Sequence, residues 1–307
     1  MQISRRSFIG VTSGALAWLS LSPVHAALTK GRRTRFVFLT DCHTRTEWQT
    51  PDALMLAAER INALKPDFII AGGDLITDGF QSSADIVAPR WDAYMRFHAA
   101  LKAPVHTVLG NHDLVAALPE DGTAPAEDPR AVFRKRIGVD RTYGSFDFGG
   151  YHFVMLDSIH VTGGRYKYEG RVSAEQLSWL EKDLENSDPA VPIILCTHIP
   201  LMTAFYQYRL GAGEAAPPNR VVLNNREVLE AFADRNLLLV LQGHLHVQEQ
   251  IRWQGTTFLT GGAVCAKWWR GPYHGTEEGF YVITLDDQTV NTDYIDYGWE
   301  ARRPPNQ

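Results

Sequence analysis

The chain has 307 residues, 45% apolar and 21% charged, the balance of an ordinary globular protein rather than of a disordered, collagenous or coiled-coil one. Its net charge is −5 and it has no basic run, which excludes an electrostatic footprint for nucleic acid or an anionic membrane surface. Its three cysteines, Cys42, Cys196 and Cys265, have no spacing that suggests a disulfide framework or a structural zinc site, and are read as small buried side chains.

The first 26 residues read as an export leader. Ser4-Arg5-Arg6-Ser7-Phe8-Ile9 matches the twin-arginine pattern. An apolar stretch from Val11 to Leu21 follows, then Pro23 and a small-residue site, Val24-His25-Ala26. The competing reading is a membrane anchor. Thr12, Ser13, Gly14 and Ser20 oppose it, since they leave the stretch short of the ~20 apolar residues a spanning helix needs. The expectation is passage through the twin-arginine translocation machinery, cleavage after Ala26, a periplasmic location and no stable membrane association. Arg5 and Arg6 are the leader's only charged residues, so the remainder holds 28 basic and 35 acidic side chains, net −7. Residues 27–307 contain no linker-like tract or internal repeat and are read as one domain. Roughly 280 residues can bury about three quarters of their unfolded surface.

Along that domain, short apolar runs at 36–39, 68–71, 105–109, 193–195 and 237–241 predict buried strands. Helices are predicted between them. Thr50-Pro51-Asp52 reads as an N-cap, a first-turn proline and an early acid, opening a helix to about residue 64, before Pro66. A second helix is predicted over 89–101. Ser173-Ala174-Glu175-Gln176 reads as a capping box, with Leu177, Leu180 and Leu184 on the buried face. Another helix is predicted over 225–234. Outside this alternation lie strand candidates at 144–148, 151–157, 256–260, 280–285 and 290–297, the first two joined by a hairpin at Gly149-Gly150. Alternation predicts a layered α/β fold, and the extra strands predict a second, mixed sheet packed on the first. Two long connections, 114–131 and 201–222, are rich in Ala, Pro and Gly. They are expected to wall the active cleft or to be surface excursions.

Five polar blocks sit at the ends of the alternating strands: Asp41-Cys42-His43, Gly73-Asp74, Gly110-Asn111-His112-Asp113, Thr197-His198-Ile199-Pro200 and Gly243-His244-Leu245-His246. In an open α/β sheet the loops leaving the carboxyl ends of strands collect on one edge. Two aspartates, several histidines and an asparagine meeting there make the ligand set of a two-metal centre. In extended backbone, the spacing of two in Asp41/His43 and in His244/His246 points each pair one way and turns Cys42 aside.

The five blocks, in this order over residues 41–246, resemble the signature of the calcineurin-like metallophosphoesterases. The resemblance implies a two-sheet β-sandwich flanked by helices, in αββα layers. It implies that Asp41, His43, Asp74 and His246 bind one metal and Asp74, Asn111, His198 and His244 a second, Asp74 bridging through its two oxygens. His112 would face the phosphoryl or leaving-group oxygen without holding metal, oriented by Asp113. The implied cofactors are two ions of Mn, Fe or Zn. The implied reaction is hydrolysis of a small-molecule phosphoester, monoester or diester, by a metal-bridging hydroxide. Thr77 stands where the purple members carry a tyrosinate, so a purple acid phosphatase is not expected. The stretch 156–177 loosely resembles bacterial cyclic-nucleotide phosphodiesterases. The alternative is a non-catalytic metal-binding scaffold on the same fold, opposed by the intact set including His112. A zinc hydrolase of amides or lactams lacks its His-x-His-x-Asp-His run. His98, His106 and His152 are read as structural, and His160 and His274 stay open. Trp268, Trp269, Arg270 and Tyr273 are read as packing residues, with stacking on a substrate as the alternative.

Overall fold

The computed structural model of the protein describes residues 33–302; the leader and its cleavage site lie outside the described residues. The strands are β1 (Thr34–Leu39), β2 (Ile69–Ala71), β3 (Val105–Thr107), β4 (Gly144–Phe148), β5 (Tyr151–Leu156), β6 (Ile159–Val161), β7 (Tyr168–Gly170), β8 (Pro192–Thr197), β9 (Asn236–Gln242), β10 (Glu249–Trp253), β11 (Thr256–Thr260), β12 (Gly279–Asp286) and β13 (Thr289–Asp296). Among the described residues six α-helices accompany them: α1 (Thr50–Leu64), α2 (Ala84–Ala100), α3 (Ala131–Ile137), α4 (Ala174–Glu185), α5 (Phe205–Leu210) and α6 (Asn225–Glu230).

One sheet runs β13-β12-β1-β2-β3 and the other β10-β11-β9-β8-β5-β4, with β6 and β7 as a separate ribbon. Within them β1, β2 and β3 are parallel, as are β5, β8, β9 and β11, while β12 is antiparallel to β1. Strand alternation then sorts the side chains. Phe36, Phe38, Phe68, Ile70, Phe153, Ile194, Leu239 and Ile283 form one buried cluster, whereas Val37, Leu39, Ile69 and Ala71 join the helices' Leu54, Ile61 and Trp91 in another. Phe36 stacks on Phe68 at 4.9 Å and meets Phe153 edge-on at 5.7 Å. Truncating such a ring to alanine costs about 3–5 kcal/mol.

The two-sheet sandwich stands as expected, but its membership differs. The alternating strands do not share a sheet: β1, β2 and β3 lie in one, β8 and β9 in the other. The extra strands divide likewise, β12 and β13 to the first and β4, β5 and β11 to the second. Apolar runs of equal character carry no label for the sheet that will take them.

Several boundaries also move. Thr50 is the first helical residue rather than the cap; Gln49 takes that place in left-handed backbone, and Thr50 Oγ1 donates to the Arg45 carbonyl. α2 begins at Ala84 and keeps Pro89 inside it. The lost amide costs about 3 kcal/mol, against which Val87 and Trp91 become fully buried. Ser173 does cap α4, accepting from Gln176 N at 3.3 Å. Gln176 does not return the bond: its amide clamps Asp157 N and O, each at 2.9 Å, and Leu177 is only partly buried. α6 stops at Glu230, short of 234. The short β6, β7, β10, α3 and α5 have too few residues to show a period. Connection 114–131 packs inward through Leu114, Val115, Ala116 and Ala117. Among the described residues no helix is long and apolar enough to cross a membrane.

Candidate metal centre

Each polar block leaves the carboxyl end of a strand: β1 leads to Asp41 and His43, β2 to Asp74, β3 to Asn111, β8 to His198, and β9 to His244 and His246. The loops are tied to one another by Asp41 N→Gly73 O and His43 N→Asp74 O, both 2.9 Å, and Gly243 N→His198 O at 2.9 Å. The pairs spaced by two do converge, but not through extended backbone. Asp41, His43, Asp74, His244 and His246 have φ of 55°, 39°, 52°, 70° and 58°. Left-handed conformations of this kind cost of order 1–3 kcal/mol each and cluster at functional sites. Cys42, between two such residues, falls into the helix-side core. The glycines ahead of the donors are required by close approach. A Cβ on Gly110 would sit 2.1 Å from Asp74 N, and one on Gly243 would sit 2.3 Å from Thr40 Oγ1.

Two donor groups result. In the first, His43 Nε2 lies 3.0 Å from His246 Nε2, 3.7 Å from Asp41 Oδ1 and 3.5 Å from Asp74 Oδ2, and His246 Nε2 lies 3.2 Å from Asp41 Oδ1. All but the 3.7 Å contact fall within the edges of about 3–3.6 Å expected around an ion ~2.1 Å from its N and O ligands. In the second, His198 Nε2 is 3.1 Å from Asp74 Oδ2 and 3.2 Å from His244 Nδ1. Asn111, on the loop after β3, is buried.

The remaining ring nitrogens test whether these residues suit metal ions. His246 Nδ1 donates to Ala266 O at 2.6 Å, His198 Nδ1 to Gly72 O at 2.8 Å and His244 Nε2 to Asn219 O at 2.9 Å. Each bond fixes the tautomer that turns a lone pair toward the carboxylates. Asp41 Oδ1 and Asn111 Oδ1 are buried and accept no hydrogen bond. Lone pairs facing lone pairs at 3 Å call for cations between them, so the donor set fits two ions. Arg220 Nη1 also lies 3.0 Å from His244 Nε2. A guanidinium only donates, so this contact and the Asn219 bond exclude each other. The Asn219 bond is the one that leaves His244 Nδ1 free to ligate.

Electrostatics agree. Burial alone would raise both carboxylates, yet the imidazoles of His246 and His43 around Asp41, and of His198, His112 and His43 around Asp74, hold them well below the usual range. Burial would lower His198, but Asp74 and Asp41 push it up to about 9. Burial, Arg220 and His198 keep His244 far below its ordinary value, hence neutral. The centre draws positive charge.

Of the expectations about individual atoms, one is refined and one corrected. The two oxygens of Asp74 are not equivalent: Oδ1 accepts from His112 N at 2.7 Å, and Oδ2 alone faces both groups of donors. Nor does Asp113 orient His112. Its buried carboxylate accepts from Leu75 N, Ile76 N and Gly110 N at 2.7, 3.3 and 2.9 Å, bracing the two loops that carry Asp74 and Asn111. His112 is held instead by Asp78, whose amide donates to Nδ1 at 3.1 Å.

Other residues fall where sequence gave little signal. Thr40 Oγ1 and the His244 amide hold Asp41 Oδ2 at 2.7 and 2.9 Å, leaving Oδ1 to the cluster. Connection 201–222 walls the centre, supplying Asn219 and Arg220. Of the tryptophan pair, Trp269 is buried and donates to His43 O at 3.0 Å, whereas Trp268 is 37% exposed. Cys265 Sγ lies 3.8 Å from the outward His246 Nδ1 and donates to Ala266 O at 3.6 Å, and burial pushes its thiol up. The structural readings elsewhere hold: His152 bridges Asp147 and Asp183 at 2.7 and 2.9 Å, and His106 stacks on Phe146 at 3.6 Å.

A histidine–carboxylate cage at the carboxyl rim of a two-sheet sandwich defines a metal-dependent hydrolase. The chain belongs to the calcineurin-like phosphoesterase family, whose model matches residues 34–248, and is a metal-dependent phosphoesterase. It is 28% identical over 256 residues to the 3',5'-cyclic adenosine monophosphate phosphodiesterase CpdA of Escherichia coli (strain K12), covering 76% of this chain and 78% of that protein. It is 30% identical over 209 residues to Purple acid phosphatase 15 of Arabidopsis thaliana, covering 60% of this chain but 36% of that protein. A dimetal phosphatase from Danio rerio shares the fold with a TM-score of 0.61 at 17% identity, over 86% of this chain and 99% of that one.

Proposed function

We propose that this phosphoesterase holds two metal ions, one among Asp41, His43, Asp74 and His246 and one among Asp74, Asn111, His198 and His244, and hydrolyses small-molecule phosphoesters. The observation that supports the reading best is Asp41 Oδ1, a buried oxygen that accepts no hydrogen bond and lies 3.2 Å from His246 Nε2, with the buried Asn111 Oδ1 likewise unbonded. When bound, two such ions supply Lewis acidity for a phosphoryl group and an activated water. The chain's own part is to fix the donors. Asn111 contributes a neutral oxygen and each group holds two neutral histidines, so the two carboxylates, Asp41 and Asp74, leave the pair of ions net positive toward phosphate. Arg220, beside His244, adds a further cation at the rim.

Both diesters and monoesters suit this arrangement, and the relatives include proteins named for each. Thr77 lies three residues beyond Asp74 and offers no phenolate. Manganese, iron and zinc are all compatible with N and O donors. Metal analysis of protein purified without chelator should give about two equivalents per chain. Reconstitution with Mn, Fe or Zn in turn, against a panel of mono- and diesters, should restore turnover with at least one. A protein that binds metal yet hydrolyses nothing on the panel would instead be the non-catalytic scaffold.

We also propose periplasmic export by the twin-arginine route, on the strength of Arg5-Arg6 and the small-residue site ending at Ala26. Replacing both arginines by lysine should retain the protein in the cytoplasm. Undiminished export of that double variant would point to another route or to an anchor.

A further inference from the structure

The loop that follows β11 turns back over the first donor group, pinned there by His246 Nδ1→Ala266 O and by Trp269 Nε1→His43 O. Within it Trp268 N bonds Ala266 O at 3.0 Å, Trp269 N bonds Cys265 O at 2.7 Å and Lys267 N bonds Gly271 O at 3.1 Å. Ala266, Trp268 and Trp269 are all left-handed, with φ of 41°, 48° and 66°. A bulky side chain in that region is a steric outlier. Trp269 recovers its strain through burial and its bond to His43. Trp268 does not: its ring is 37% exposed, and a glycine would serve the turn at lower cost.

What the strain achieves is position. The Trp268 ring lies 4.5 Å from the His246 ring, tilted by 36°, and 6.0 Å from that of His43. From Trp268 an aromatic strip leads away from the metal donors through Tyr273 at 6.2 Å, then His274, to Phe205 and the 78% exposed Tyr208 of α5. Across the cluster, on the His244 side, Arg220 provides a cation. One donor group therefore has a partly exposed aromatic ring beside it and the other a positive charge.

We infer that Trp268 walls a subsite for a planar ring, so that the phosphoester this centre takes carries an aromatic group, nucleobase or aryl, next to its phosphate. The inference rests on the phosphoesterase reading above and adds the substrate class. Trp268 acts by stacking on that ring, as aromatic side chains stack on bases, and so favours aromatic over alkyl esters without touching phosphorus.

The test compares wild type, Trp268→Leu and Trp268→Phe, as full metal-reconstituted chains. Calorimetric binding of adenosine 5'-monophosphate, phenyl phosphate, glycerol 1-phosphate and inorganic phosphate is measured alongside kcat/KM for an aryl, a nucleoside and an alkyl ester. The leucine variant should bind adenosine monophosphate roughly 5–150-fold more weakly, the span of a ~1–3 kcal/mol stack at 1.4 kcal/mol per tenfold. Inorganic phosphate and glycerol phosphate should change less than about twofold, and phenylalanine should restore most of the loss. Phenyl phosphate separates the two ring sources: a loss as large as that for the nucleotide assigns a general aryl subsite, a smaller one a base subsite. Equal weakening of all four ligands would make Trp268 a mere cover for the metals, and no weakening would remove it altogether; either overturns the inference. Ring-selective binding without any turnover would overturn the phosphoesterase reading alone.

Discussion

Asp74→Ala is expected to empty the centre of metal and abolish hydrolysis, with a larger loss than at any other donor. A single atom, Asp74 Oδ2, lies 3.5 Å from His43 Nε2 in one group and 3.1 Å from His198 Nε2 in the other. An ion acting as a Lewis acid contributes several kcal/mol, and ~4 kcal/mol is about a thousandfold in rate. Loss of both ions compounds that factor. Asp74 is left-handed at φ 52°, and alanine there adds roughly 1–2 kcal/mol of strain, so Asp74→Asn is the companion variant. Asparagine tolerates the conformation and keeps an acceptor for His112 N. It turns an NH2 group toward the imidazole lone pairs and removes the charge. It should fold like wild type and still lose both ions, whereas Asp41→Asn should weaken only the first group. Metal content by mass spectrometry, read beside kcat/KM, decides it. An Asp74→Ala protein with two ions and a rate within tenfold of wild type would sink the shared-donor assignment.

The blocks that hold the site were legible because donor chemistry is written into residue type and spacing. His-x-His after a strand is informative wherever the backbone takes it. What spacing could not report was the backbone's hand. Asp41 and His43 were expected to align through extended geometry, but both are left-handed, because amides of the first loop must reach Gly73 O and Asp74 O. The same limit governs Asp113. An acid next to a histidine reads as its partner, yet the tight turn at Asn111–Asp113 aims that carboxylate at three amides instead. Strand existence survived better than strand grouping: all five alternating runs formed, but hydropathy could not divide them between two sheets buried on both faces. Asn219 and Arg220 come from a connection with no periodicity, and only the folded chain brings them to His244. Trp268 and Trp269 are adjacent in sequence and opposite in fate, the first partly exposed beside His246 and the second in the core. A pairwise reading could not separate them.

His112→Ala is expected to keep both ions and lose roughly 10²–10³ in turnover, the usual worth of a hydrogen-bond donor aimed at developing negative charge. The ring sits edge-on to His43 at 4.6 Å between centroids. Its Nδ1 faces the Asp78 amide at 3.1 Å, and Asp78 is itself held between Arg45 and Arg90 at 3.4 and 3.2 Å. An amide only donates, so Nδ1 is an acceptor and the ring proton sits on Nε2. An imidazolium would need a proton on both nitrogens and would set two donors head-on at Nδ1. His112 is therefore expected to act as a neutral hydrogen-bond donor that stabilises phosphoryl charge, rather than as an acid that hands its proton to the leaving oxygen. The loss on His112→Ala should then be the same for a nitrophenyl ester, whose leaving group needs no proton, and for an alkyl ester, whose leaving group does. A loss that shrinks for the nitrophenyl ester would restore the general-acid role and require the Asp78 contact to break during turnover. Loss of a metal from the alanine variant would place His112 among the ligands.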